Sequence, residues 1–148
     1  MTPFTSSQHV FEHAMQLEDQ MVRIFEFCCQ KEYCQQFSGL FARFADEEKL
    51  HKQRLGNIMR STQAAFDPAL VADISPENYA ELPDPCQAPD MAAALQMAME
   101  VEKNAYRFYS DLSLRMSDPL LASLFDMLAQ EESQHKLRFE LELDRIRK

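Results

Sequence analysis

A stretch of this chain occurs twice. Shifting the first half by 84 positions, with no gap, lays Ala14 on Ala98, Met15 on Met99, Glu18 on Glu102 and Arg23 on Arg107. The same shift lays Leu40 on Leu124, Phe41 on Phe125, Ala45 on Ala129, Glu47-Glu48 on Glu131-Glu132 and His51 on His135. Lys52 falls on Lys136 and Arg54 on Arg138. A chain of 148 residues has room for one ordinary domain. The two copies are therefore expected to pack against each other around one core, related by a pseudo-two-fold axis.

Each copy reads as a pair of helices. Phe11, Ala14, Glu18, Met21, Phe25 and Cys28 keep helical spacing, as do Phe37, Leu40, Phe41, Phe44, Glu48, His51, Leu55 and Ile58. In the second copy the stripes are Leu95, Ala98, Glu102, Ala105, Tyr109 and Leu112, then Leu121, Leu124, Phe125, Leu128, Glu132, His135 and Phe139. Only two glycines occur in the chain, and nine methionines serve as flexible core filler, which favours helix over sheet. Ser117-Asp118-Pro119 reads as a helix end, a cap and a first-turn proline. Pro68, Pro76, Pro83, Pro85 and Pro89 crowd one segment that cannot be a long helix, with one short turn expected at Ser75-Pro76-Glu77. The expectation is an all-α four-helix bundle in a single domain, 1–148. One hairpin spans about 6–61, a crossover about 62–89 and a second hairpin about 90–147.

Within each hairpin a Glu is followed thirty residues later by Glu-x-x-His: Glu18 with Glu48 and His51, and Glu102 with Glu132 and His135. Positions three apart project from nearly one helix face. The midpoint of the second gap is Ser117, at the expected turn, so Glu102 and Glu132 each stand ~22 Å of helix from it and share one level. The repeat puts the other three side chains at the matching level. All six lie on apolar stripes, where four glutamates cannot all stay ionised without a counter-charge. Two divalent cations would offset them, and four Glu with two His is a metal-binding pattern of helix bundles. Oxygen and nitrogen donors without thiolate suit iron or manganese, with zinc able to substitute.

Other features bound the function. The formal net charge of -9 argues against nucleic acid as a partner, because phosphate binding needs a basic patch. Arg145, Arg147 and Lys148 read as cations at a helix C-terminus. No run reaches the ~18 apolar residues of a membrane span, and the start shows no basic region followed by an apolar run. Cys28, Cys29, Cys34 and Cys86 form no C-x-x-C pair; the first three read as small apolar helix residues and the last as a loop thiol. Reduced thiols and a cytoplasmic location are expected. His9 and His13 are expected to face solvent, since an isolated i, i+4 pair of histidines is a weak metal signal. Tyr109, two turns beyond Glu102, reads either as a hydrogen-bond partner or electron relay for the site, or as a buried aromatic whose hydroxyl needs an acceptor.

The segment from Ala98 to Tyr109, with Leu128-Ala129-Gln130-Glu131-Glu132-Ser133-Gln134-His135, resembles the single-domain rubrerythrin-like branch of the ferritin-like superfamily. The first half is a more divergent copy. The resemblance implies two irons, with Glu18 and Glu102 as terminal ligands, Glu48 and Glu132 bridging, and His51 and His135 each on one metal. It implies an oxidoreductase of peroxidase or ferroxidase type acting on H2O2 or O2, linked to oxidative stress, with an external electron donor and a homodimeric state. Iron handling, or a metal-stabilised bundle acting through partners, are the alternatives. Two features differ from full-length rubrerythrins: no rubredoxin-type cysteine pairs are present, and Ala105 stands where a further glutamate is common, which makes the ligand set resemble symmetric bacterioferritin-like sites.

Overall fold

A computed structural model describes residues 2–79 and 82–148, apart from the side chain of Thr62; Ala80 and Glu81, within the expected crossover, lie outside the described residues. Four long α-helices carry the fold: α1 (Ser7–Cys29), α2 (Ser38–Met59), α3 (Met91–Arg115) and α4 (Pro119–Arg147). Among the described residues there is no β-strand. The helices pack as two hairpins, α1 along α2 and α3 along α4, joined by a long crossover into a ferritin-like four-helix bundle.

The helix ends follow local chemistry. Ser6 caps α1 by accepting from the His9 N–H, Asp90 caps α3 by accepting from Ala93, and Asp118 caps α4 by accepting from Leu120 with Pro119 in the first turn. Arg145 and Arg147 occupy the last turn of α4, where cations favour the helix dipole. A 3-10 segment, Glu32–Phe37, turns α1 into α2 at the position the thirty-residue spacing requires.

The crossover has more local structure than its prolines suggested. The turn at Pro76–Asn78 is present, capped by Ser75, but Thr62–Ala64, Pro68–Val71 and Pro85–Gln87 are also 3-10 turns. Two of those begin with Asp-Pro, whose aspartate side chain accepts from the backbone two residues on. The crossover is tied to α3 by Arg115, whose Nη2 lies 2.7 Å from Asp73 Oδ2, and by Tyr79, whose hydroxyl donates to Asp111 at 2.9 Å.

Phenylalanines fill the bundle. Phe25, Phe41 and Phe139 meet with ring centroids 5.5–6.1 Å apart, and Phe11 packs on Phe125 at 5.6 Å. Each buried ring contributes on the order of 2–3 kcal/mol of transfer free energy. This packing holds the four helices in register at the level of the acidic residues. No described helix is long and apolar enough to cross a membrane.

His9 and His13 depart from expectation. Both are half-buried rather than solvent-facing, because Phe4 folds back onto the helix start. The Phe4 ring meets them edge-on, with centroids 5.1 and 5.5 Å away, and His13 also meets Phe108 at 5.2 Å. Burial, then the neighbouring His9, lowers the His13 pKa. The pair takes no part in the acidic cluster.

Candidate metal centre

Each helix contributes to one buried cluster at mid-height. Glu18 comes from α1, Glu48 and His51 from α2, Glu102 from α3, and Glu132 and His135 from α4. The four glutamates are 0% exposed. Two overlapping sets result: Glu18, Glu48, His51 and Glu132 offer donor atoms within 4.8 Å of one another, and so do Glu48, Glu102, Glu132 and His135. Glu48 and Glu132 belong to both sets, while Glu18 and Glu102 each belong to one.

The shortest contacts cross the hairpins. His51 Nδ1 lies 2.7 Å from Glu132 Oε1 and 3.5 Å from oxygens of Glu18 and Glu48. His135 Nδ1 lies 2.8 Å from Glu48 Oε1 and 3.2 Å from Glu102 Oε1. Yet both oxygens of Glu48 and of Glu132, one oxygen each of Glu18 and Glu102, and His51 Nδ1 have no hydrogen-bond partner. Buried carboxylate oxygens so close together and so poorly hydrogen-bonded are costly. Cations lying between them remove that cost, so the donor set fits two metal ions.

The same crowding sets the protonation of the metal-free cluster. Burial, reinforced by the Glu132 charge, raises the Glu18 pKa and holds Glu48 and Glu102 well above the usual carboxylate range. Burial acts the same way on Glu132, but the adjacent Glu102 carboxyl and the His51 and His135 imidazoles outweigh it and the net shift is downward. For both histidines burial favours the neutral form, and the surrounding carboxylates overcome it, so both pKa values rise.

Two residues with no role assigned from sequence hold the imidazoles. Nε2 of His51 donates to Glu131 of α4, and Nε2 of His135 donates to Glu47 of α2 at 2.8 Å. Nδ1 of each ring is thereby turned inward. The signal was present in the sequence: a second Glu precedes each Glu-x-x-His, at the repeat offset. Phe44 stacks on His135 with centroids 4.0 Å apart, and its repeat counterpart is Leu128, so the two imidazoles have different floors.

Tyr109 is fully buried and its hydroxyl donates to Glu18 Oε1 at 2.6 Å. It thus serves the carboxylate of the opposite hairpin rather than Glu102 on its own helix. Burial, then the Glu18 charge, pushes its pKa well up, so it remains a donor. Phe25 occupies the matching place in the first copy and makes no such bond. Ala105 is buried in the core, one turn above Glu102, and offers no donor. A cleft of about 360 Å³ between α2 and α4 reaches both imidazole edges, with Glu47 and Glu131 on its walls and Arg43, Arg54 and Arg138 around it.

The family model described as rubrerythrin matches residues 9–143, which takes in both hairpins and all six cluster residues. No curated protein and no solved structure matches the chain significantly. With its helices, its crossover and its carboxylate–histidine cluster in place, the chain belongs to the rubrerythrin family of ferritin-like diiron-carboxylate proteins.

Proposed function

We propose that the chain is a redox protein that binds two iron ions through Glu18, Glu48, His51, Glu102, Glu132 and His135 and reduces H2O2 or O2 with them. The observation that carries this reading is the sharing of Glu48 and Glu132 between two otherwise separate donor sets. Carboxylates common to two sets would be shared by both ions of a metal pair. Glu18 and His51 then complete one position, Glu102 and His135 the other. Bound iron would supply two electrons to the oxidant as it passes from ferrous to ferric.

The protein groups have separate tasks. Glu47 and Glu131 fix the tautomer and the facing of the two rings. Tyr109 holds Glu18 in one rotamer through its hydroxyl. The phenylalanines above and below the cluster keep bulk water out, while the cleft between α2 and α4 leaves a route for a small oxidant. Electrons to restore the ferrous state come from an external donor, since the chain has no paired C-x-x-C iron site. Glu47 and Glu131 on the cleft walls offer carboxylates to an entering cation, which supports a second reading as an iron-handling ferroxidase.

Anaerobic loading with Fe(II) tests the proposal, with O2 and H2O2 then added separately while absorbance is followed. Two irons bound per chain and rapid oxidation by either oxidant are expected. Binding of a single iron, or none, would overturn it. Retention of far more than two irons per chain after oxidation would favour the iron-handling reading.

A further inference from the structure

A second cleft, of about 420 Å³, lies between α1, α3 and the crossover. Phe108, 1% exposed, forms its floor, and Tyr79 of the crossover closes one side. Tyr79 is fixed there by its bond to Asp111 and by the edge-on contact of its ring with Phe108, centroids 5.1 Å apart. Glu77 fastens the same turn, accepting from the Thr2 N–H at 2.9 Å and from the Ser75 hydroxyl at 2.7 Å. The walls are therefore held by tethers of their own.

The lining has an unusual chemistry. Among the described residues it carries no charged side chain, in a chain with 26% charged residues. Its polar groups are the carboxamides of Gln16, Gln20 and Asn104 and the imidazole of His13. None of the four makes a side-chain hydrogen bond to another described residue. Burial and the neighbouring His9 lower the His13 pKa, so this ring is neutral at neutral pH. The repeat supplies an internal comparison. Gln20 and Asn104 are each other's counterparts, but those of His13, Gln16 and Phe108 are Met97, Glu100 and Ile24. The matching place thus has a charge and no ring, so the lining is not a demand of the fold.

We propose that this cleft binds one uncharged, planar redox ring bearing carbonyl groups, that of a flavin or a quinone, and that reducing electrons reach the metal centre from it. The electron route rests on the diiron reading above. Three features select such a ring. First, Phe108, Tyr79 and His13 offer aromatic surfaces to a flat ligand. Second, a carboxamide and a neutral imidazole each carry both a donor and an acceptor. The oxidised ring presents carbonyl acceptors and the reduced ring O–H or N–H donors, and the same four side chains serve both states. A phosphate would find no cation in the lining, and a plain hydrocarbon would leave its polar groups unpaired. Third, the floor leads to the cluster: Phe108 packs on Tyr109 with centroids 5.5 Å apart, and the Tyr109 hydroxyl donates to Glu18 at 2.6 Å.

The exchange balances. The reduced ring gives up two electrons and two protons and becomes the oxidised carbonyl form. The electrons return two ferric ions to ferrous, and the protons leave to water through the open side of the cleft. This names the external donor by its chemistry and places its entry on the α1–α3 side, away from the oxidant's route between α2 and α4.

Two probes test this on the purified full chain: riboflavin, followed by quenching of its fluorescence, and a water-soluble naphthoquinone, followed by calorimetry. One or both should bind the metal-free protein at one ring per chain, and the probe that binds identifies the source. The phosphate ester of riboflavin should bind no more tightly than riboflavin. Leu17→Glu, which sets a charge in the lining, should weaken binding about tenfold with unchanged helical circular dichroism. Asn104→Leu should weaken it as well, and Leu50→Glu, in the other cleft, should not. Oxidised, iron-loaded protein mixed without air with the reduced probe should then oxidise one ring per metal pair. At low probe concentration Leu17→Glu should slow this by the factor by which it weakens binding. Binding of neither probe, binding that Leu17→Glu and Asn104→Leu both leave intact, tighter binding of the phosphate ester, or equal rates of ring oxidation in parent and Leu17→Glu would overturn the inference. The binding arm uses no iron, so its failure is distinct from a failure to hold iron, which would sink the diiron reading and the electron route with it.

Discussion

Glu131 of α4 accepts the Nε2–H of His51, which belongs to the opposite hairpin. Its repeat counterpart Glu47 does the same for His135, at 2.8 Å. Neither carboxylate is on the same helix as the ring it holds. Removing one frees an imidazole to rotate and weakens its Nδ1 as a donor. Glu131→Ala and Glu47→Ala should each lower Fe(II) affinity 10- to 100-fold. Chelator competition checks this, with metal-free melting temperatures as the folding control. Affinity unchanged in both variants would show that the rings are held by packing alone.

Tyr109→Phe removes the donor from Glu18 Oε1 and leaves a second unpartnered oxygen on a fully buried carboxylate. Such losses cost about 1–3 kcal/mol. The metal-free variant should be destabilised by that amount in chemical denaturation. Phe25→Tyr, at the matching place in the other half, should not compensate. Equal stability of Tyr109→Phe and the parent chain would mean that the bond contributes nothing net.

Acid should erase the stabilising effect of metal. Glu18, Glu48, Glu102, His51 and His135 all have raised pKa values in the metal-free fold. Their favourable contribution is complete below their unfolded values, ~4.3 for Glu and ~6.5 for His, and is lost as pH climbs toward the folded values. Glu132 shifts downward and works in the opposite sense, as one group against five. The metal-free protein therefore weakens from about pH 5 to pH 8, where the ligands become free to bind metal. Calorimetry with and without chelator should show a larger gap in melting temperature at pH 8 than at pH 5. A gap that is equal at both pH values, or larger in acid, would contradict this.

The thiols should separate into classes. Burial, with Cys34 and Cys29 nearby, pushes the Cys28 thiol up to about 12, and burial pushes Cys34 to about 11, whereas Cys86 is exposed. A disulfide exchange reagent at pH 8 should label Cys86 within minutes and leave Cys28 and Cys34 unlabelled until the chain is unfolded. Prompt labelling of four thiols per folded chain would show that this end of the bundle opens readily.

Electron supply gives the last expectation. The isolated ferrous protein should reduce one H2O2 per metal pair quickly and then slow sharply, because the described structure contains no further electron store. Stopped-flow mixing, followed by steady state with NADH alone, measures both phases. Sustained rapid reduction from NADH by the purified chain would show that it needs no separate donor.

The repeat and the hydrophobic stripes made the bundle legible, because burying two copied hairpins around one core leaves few arrangements. The six cluster residues were legible for the same reason: charged side chains on an apolar stripe demand a partner. Glu47 and Glu131 were not, since their bonds run between helices far apart in sequence, and an extra Glu on a helix usually faces water. Tyr109 was placed at the right level but without a named acceptor, because helical spacing fixes which way a residue points and not which neighbour it reaches. The half-burial of His9 and His13 depended on Phe4 folding back, a contact of the chain start that no periodicity encodes.

The crosswise pairing of His51 with Glu131 and of His135 with Glu47 bears on how such a chain arises. The shortest links at the centre all join one hairpin to the other, so a lone hairpin presents half a binding site without the carboxylate that holds its imidazole. Two identical hairpins docked face to face would complete the site from one short gene product. Joining them end to end keeps that centre and frees the halves to drift. The hydroxyl at position 109 and the bare ring at Phe25 show where they have already parted, and make the two donor sets chemically unequal.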